Sequence, residues 1–337
     1  MKKTWLRAGV LATVAIAVTA LGVPASANAA AGRIPWRPTV LPLPPGAGAG
    51  NLTGSDGKGE YTGTFRVNDV TQVVSWRNGQ PFLRGVPSGY ERVDANDENS
   101  SSVIVGTIHD YETMTSRTFT LDASGYHIKD NPAGYQEVTG VAINTRGDVL
   151  GEAYQPGVPR AVVLWRADGS APVVIPETGD VSYPRDLDDD GTILLASGSG
   201  SALWKDGVLR KLTPSPSGWA EGYAIRNGIV VGARSWGGNQ AARWSTPDET
   251  TGLEGGGMAQ DINKSGLTVG LVPTPSGPQI YGNGAVWRGT VPGVVLGPSG
   301  YSLFRPQVAA DDGTLAGYAA NGPTDGSGVP VIWRLTP

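Results

Sequence analysis

The sequence predicts an all-β fold: a seven-bladed β-propeller closed by an N-terminal strand that completes the C-terminal blade. Three observations predict it. The 337 residues include 50 Gly and 26 Pro, a composition that breaks helices and suits short strands joined by turns. Trp76, Trp165, Trp204, Trp244, Trp287 and Trp333, with Phe119 filling the one gap, recur at spacings of 43, 46, 39, 40, 43 and 46 residues. A repeat of that length built from short strands belongs to propellers rather than to helical solenoids. Finally, the strand counts balance only if the first strand of the chain joins the last unit.

Each repeat contains four strands in a fixed order. An inner strand of small residues leads through an Asn/Asp-x-x-Gly turn into a second strand ending in Gly, as in 141–151 and 261–270. The frame recurs at 186–196 and 308–317, and more loosely at 93–106 and 223–232. The Trp strand comes third, and three of the seven run into Asn78-Gly79, Asp168-Gly169 or Asp206-Gly207, pairs that accept the positive φ of tight hairpins. Outer strands are expected near Leu41, Leu83, Ile128, Ile175, Leu212, Leu253 and Leu296. The first of these precedes every other element, and the last Trp strand ends the chain without one. Residues 40–43 should therefore pair with the strand ending at Trp333, a closure that protects two edges.

Residues 1–29 read as a bacterial secretory signal. Lys2, Lys3 and Arg7 precede an apolar run over 8–21, and Ala27-Asn28-Ala29 offers a small-residue cleavage site. The run is too short for a membrane span. The expected organisation is a signal peptide over 1–29, a short linker over 30–38 and the propeller over 39–337, in a protein released to the extracellular space. Removal of the signal takes the formal charge from −4 to −7, with 23 basic and 30 acidic residues. This acidic balance argues against nucleic acid and anionic membranes as partners.

The order of inner strand, Asn/Asp-x-x-Gly turn, Gly-ended strand, loop and Trp strand resembles WD-repeat propellers and, more closely, the bacterial extracellular HAF-repeat proteins. The resemblance covers about residues 39–337. It departs from the family at the His-Ala-Phe expected before the Trp, which is replaced by stretches such as Gly284-Ala285-Val286-Trp287. It implies a fold and carries no biochemical activity with it.

The absence of Cys removes disulfides, thiolate metal sites and Cys nucleophiles, and two His leave little material for a zinc enzyme. A Ser-His-Asp arrangement would need His109 or His127. The recurring Trp residues read as wedges between blades. Aromatic residues outside that column stand at connections predicted to share one face: Tyr90, Tyr135, Tyr183, Trp219 and Tyr301 before inner strands, and Tyr111, Tyr154, Trp236 and Tyr281 between second and third strands. Tyr90, Tyr135, Tyr183, Trp219, Trp236 and Tyr301 are the candidate ligand-binding residues; as caps of blade junctions they would be structural instead. One inner-strand column reads Thr53, Asp94, Ala142, Asp186, Ala224, Asp261, Ala309 and its neighbour Gly54, Ala95, Ile143, Leu187, Ile225, Ile262, Ala310. Strand alternation then places Asp94, Asp186 and Asp261 in the central channel, either hydrated or around a cation such as calcium. No other cofactor is expected. The run from Asp186 to Gly191 resembles the start of a calcium loop, but its twelfth position is Ser197 rather than Glu. The expected function is extracellular binding of a glycan, peptide or protein; the rival is a hydrolase or lyase using carboxylates at the channel mouth.

Overall fold

The computed structural model describes residues 34–177, 183–198, 200–213, 218–234, 240–272, 282–322 and 328–336. Within these residues the protein is an all-β propeller. Strands follow one another in antiparallel runs of four, forming five four-stranded sheets and one eight-stranded sheet. The eight-stranded sheet consists of two such runs, 92–128 and 137–176, joined where Glu137 lies parallel to Ser116. We number the runs as units in chain order, from unit 1 over residues 47–83 to unit 7 over 303–335.

Unit 7 is completed from the other end of the chain. Trp36–Val40 pairs antiparallel with Val329–Leu335, Trp36 opposite Leu335 and Val40 opposite Val331. The closure is the expected one, but the strand begins four residues earlier than predicted, within the stretch assigned to a linker. The reason is local: Pro42, Pro44 and Pro45 have no N–H to donate beyond Leu41, while Trp36 has a buried place to fill. Its indole is 3 % exposed and donates to the Gly313 carbonyl at 3.3 Å. Its backbone also serves a second partner, accepting from the Leu296 amide at 3.0 Å and donating to the Val294 carbonyl at 2.8 Å. Those bonds divert the segment expected to form the outer strand of unit 6, which is cut to Val291–Pro292.

The Trp column holds neighbouring units together. Trp76, Trp244, Trp287, Trp333 and Phe119 are fully buried. The indole N–H groups of the four Trp donate to the carbonyls of Pro42, Thr213, Glu254 and Leu296 at 2.8–3.1 Å. Each acceptor lies just beyond the outer strand of the preceding unit, so the same side chain fills the wedge and fixes its neighbour.

Every inner strand carries a bulge at the same place, after Leu52, Ala95, Gly140, Pro184, Gly222, Ala259 and Pro306. The extra residue lets the strand kink toward the axis. It also drives an inner-strand carbonyl against the second strand: a Cβ on Gly63, Gly106, Gly232, Gly270 or Gly317 would lie 1.9–2.1 Å from that oxygen. The expected glycine lies within the second strand, which continues past it rather than ending there, and in these five units the bulge leaves no room for a Cβ at that position. In unit 4 the equivalent position holds Leu195, opposite Pro184.

Trp36 joins two units, so Trp36→Ala is expected to lower the unfolding free energy by about 3–5 kcal/mol. Thermal unfolding of the purified variant measures this, and an unchanged midpoint would count against the seam.

Candidate functional site

The inner strands of all seven units enclose a channel cavity of about 210 Å³. Its wall at one level is the set of bulged residues: Thr53, Asn96, Val141, Arg185, Tyr223, Gln260 and Gln307. Because the bulge interrupts alternation, the residue after it heads the next level. That level reads Gly54, Asp97, Ala142, Asp186, Ala224, Asp261 and Val308. Asp186 and Asp261 reach the channel as expected, whereas Asp94 does not. Asp94 sits before the bulge, opposite Thr107, where it accepts from Arg92 at 2.7 and 2.9 Å and contacts His109 Nε2 at 3.1 Å. Asp97 takes its place.

The three channel carboxylates do identical work. Asp97 accepts from the amides of Glu98 at 2.7 Å and Ile143 at 2.9 Å. Asp186 accepts from Leu187 at 2.8 Å and Ile225 at 2.7 Å, and Asp261 from Ile262 at 2.8 Å and Ala309 at 2.7 Å. One oxygen fastens its own strand and the other the following unit, linking units 2 to 3, 4 to 5 and 6 to 7. The alternation of Asp with Ala or Val follows, since each receiving unit supplies an amide and needs no carboxylate. Arg226 projects among these groups, 3.4 Å from Asp189.

Burial, reinforced by repulsion from Asp186, pushes Asp97 up to about 7. Burial does the same to Asp261, also to about 7, with the Ala309 amide pulling the other way and Asp186 adding repulsion. Asp186 is raised by burial against the attraction of Arg226. A fourth acid went unrecognised in the sequence. Glu98 occupies the position that is Ile143, Leu187, Ile225 and Ile262 elsewhere, is only 7 % exposed, and has one oxygen without a hydrogen-bond partner. It faces Gly54, whose Cβ would stand 2.6 Å from that of Glu98, and the Thr62 hydroxyl beside it. Burial raises it to about 8.

Among the described residues no group of three or more Asp, Glu or His side chains is arranged to hold a metal ion. In the calcium-like run, Asp188 accepts from the Asn227 and Gly228 amides at 2.9 and 2.6 Å, and Asp190 pairs with Lys205. Its acids brace the ring. His127 approaches Ser124 Oγ at 2.9 Å and Asp122 at 3.2 Å, but both contacts use Nε2. A relay requires the two ring nitrogens to serve different partners, so this set is an exposed hairpin turn.

The candidate aromatics divide. Tyr90 packs on the core containing Val73, Val93 and Phe119, and Tyr301 on that containing Trp36, Val269 and Trp333. Tyr135 packs against Val105, Val163 and Trp165 and donates to the Pro159 carbonyl at 3.1 Å. These three pack as junction caps, the structural alternative stated above, and each remains half-buried. Trp236 and Tyr281 lie outside the described residues. Tyr183 and Trp219 come together, lining a cavity of about 470 Å³ between units 4 and 5 with Arg185, Gly198, Gly200, Ser201 and Glu221. The cavity opens where second strands end and inner strands begin, which is the predicted loop face. Arg185 and Glu221 are the additions that aromatic spacing could not reveal.

No family model matches the sequence, and no curated protein does. Among solved structures, the chain is similar to a gluconolactonase from Xanthomonas campestris at 14 % identity, covering 81 % of this chain and 82 % of that one with a TM-score of 0.41. It is similar also to TolB from Acinetobacter baumannii (13 %, 61 % and 55 %, 0.39) and to Trypanosoma rangeli sialidase (9 %, 90 % and 58 %, 0.41). The chain thus spans little more than half of the last two. These likenesses concern the fold alone.

The raised acids set the pH dependence of stability. Asp97, Asp261 and Glu98 ionise more easily unfolded than folded, so their stabilisation is complete below about pH 4 and is lost as the pH rises through about 7–8; Asp186, also raised by burial, acts in the same direction. Asp148, Asp189 and Asp190, held low, act oppositely and lose their stabilisation on further acidification. The melting temperature should therefore peak near about pH 4–5 and fall toward pH 9. Glu98→Gln should flatten the alkaline fall, and a wild-type profile that rises to pH 9 would contradict the burial argument.

Proposed function

We propose that this protein is a secreted binding module, with each four-strand unit counted as a blade for seven in all and the ligand taken up on the loop face. The HAF-repeat resemblance stated above belongs to the same proposal. The observation that carries it is the Tyr183–Trp219 cavity: two flat side chains outside the structural Trp column, next to an arginine and a glutamate, on the face whose connections carry the aromatic residues. Scaffold-positioned loops of this kind are where binding residues concentrate. Asp97, Asp186 and Asp261 each commit both oxygens to backbone amides, which marks these three as structural; Glu98, the channel-lining acid with an unpartnered oxygen, is the group that the rival hydrolase reading would use.

Secretion has a direct measurement: N-terminal sequencing of protein recovered from the culture medium should begin at Ala30. Retention of residues 1–29, or absence from the medium, would remove that part of the proposal. Binding is tested by screening the mature protein against immobilised glycans, cell-wall fragments and extracellular proteins. Trp219→Ala should abolish the specific signal, while Tyr111→Ala, which alters an exposed ring away from the cavity, should preserve it. A signal indifferent to Trp219 would place the binding surface elsewhere.

A further inference from the structure

The chemistry of the cavity between units 4 and 5 narrows the ligand further, on the reading that this face binds. The Tyr183 ring of its aromatic wall is backed from behind. The Arg160 guanidinium lies 5.3 Å from the centre of the Tyr183 ring and 4.8 Å from that of Tyr154, filling the space between them, and Glu152 anchors it by an ion pair. One face of Tyr183 is thus occupied by a cation, yet the residue remains 44 % exposed, leaving ring surface for the cavity it lines with Trp219. A ring backed in this manner offers apolar contact at little cost in side-chain entropy.

The polar side is a matched pair. Arg185 is 3.6 Å from Glu221 and lies 5.7 Å over the Tyr223 ring. At that separation the two charges balance each other without a tight hydrogen bond, so a donor and an acceptor stand side by side toward the cavity. A net anionic or cationic ligand would meet one partner and be repelled by the other. A group that both donates and accepts satisfies both together, and a hydroxyl does so. Flat apolar surface beside vicinal hydroxyls describes a sugar ring, and local charge balance excludes a strongly charged one.

We propose that the cleft formed by Tyr183, Trp219, Arg185 and Glu221 binds a neutral saccharide, one pyranose lying against the aromatic wall with its hydroxyls bridging Arg185 and Glu221. The test is calorimetric titration of the mature protein with maltotriose, laminaritriose and chitotriose, with digalacturonate as the anionic comparison. At least one neutral trisaccharide should bind, and bind more tightly than digalacturonate. Tyr183→Ala and Trp219→Ala should each weaken that binding by about tenfold or more, and Glu221→Gln should weaken it with the aromatic wall intact. Near-UV circular dichroism of each variant verifies the fold. Tighter binding of digalacturonate, or neutral binding unaffected by all three substitutions, overturns the proposal. So does the absence of neutral binding. In that last case, a screened protein or peptide lost on Trp219→Ala removes the saccharide and keeps the binding face, whereas no Trp219-dependent ligand removes both.

Discussion

The ring depends on a carboxylate that reaches across to the next unit's backbone. Adjacent sheets of the propeller share only scattered backbone hydrogen bonds, such as Ser201 to Ala220 and Gly50 to Gly328, and near the axis they converge where there is little room for large side chains. Asp97, Asp186 and Asp261 solve this by accepting two amides each, one from either side of the junction. The turns just beyond add a second tier. Asn99, Asn144 and Asn263 cap their own turns through Oδ1, accepting from the amides two and four residues on. Their Nδ2 groups donate to the carbonyls of Asn144, Asp188 and Ala310 in the following units at 2.7–3.2 Å. The Asn/Asp that marks the repeat in the sequence is thus both a local turn former and a link between units.

Much of the architecture was legible because it rests on periodic side chains. The Trp column and the glycines of the second strands each follow from one residue type at one spacing, and the closing N-terminal strand follows from the balance of strand counts. What escaped was the bulge, which leaves no mark of its own and changes which residue faces the axis. In unit 2 a missing turn glycine added to this and displaced the reading by three residues. Asn99-Ser100-Ser101-Ser102 is that unit's turn, and Ser102 at φ 56° stands where other units have Gly147 or Gly266 at φ 89° and 80°. Without the expected glycine the frame slid back to Asp94. Of the candidate ligand contacts, Tyr183 and Trp219 were legible as aromatics on the loop face. Whether Tyr90, Tyr135 and Tyr301 cap junctions or face a ligand stayed open there, since sequence position alone does not say how a ring packs.

Rigidity and access are separated in this molecule. The turn end of the channel is crowded with links between units, among them Asp188 to Asn227 and Gly228, Asp189 to the Thr145 amide and Asp311 to the Lys264 amide. The opposite end carries the connections and the Tyr183–Trp219 cavity. Arg185 touches both regions, lining the channel as a bulged residue and the cavity through its pairing with Glu221. The bulge that shapes the ring is therefore also what turns a charged side chain toward the loop face.

The pairing of Trp36–Val40 with Val329–Leu335 sets an order on how the chain reaches its final state. The two strands stand at opposite ends of the described chain, so bringing them together carries the largest loop-closure entropy in the molecule. During synthesis the N-terminal strand emerges well before its partner. Until that partner arrives, Trp36 has no wedge to fill, and Val331, Ile332 and Trp333 lack one neighbour. The half-made ring presents apolar surface on both sides of a gap, and the time spent in that state, more than the strength of the finished seam, governs its exposure to proteases and self-association.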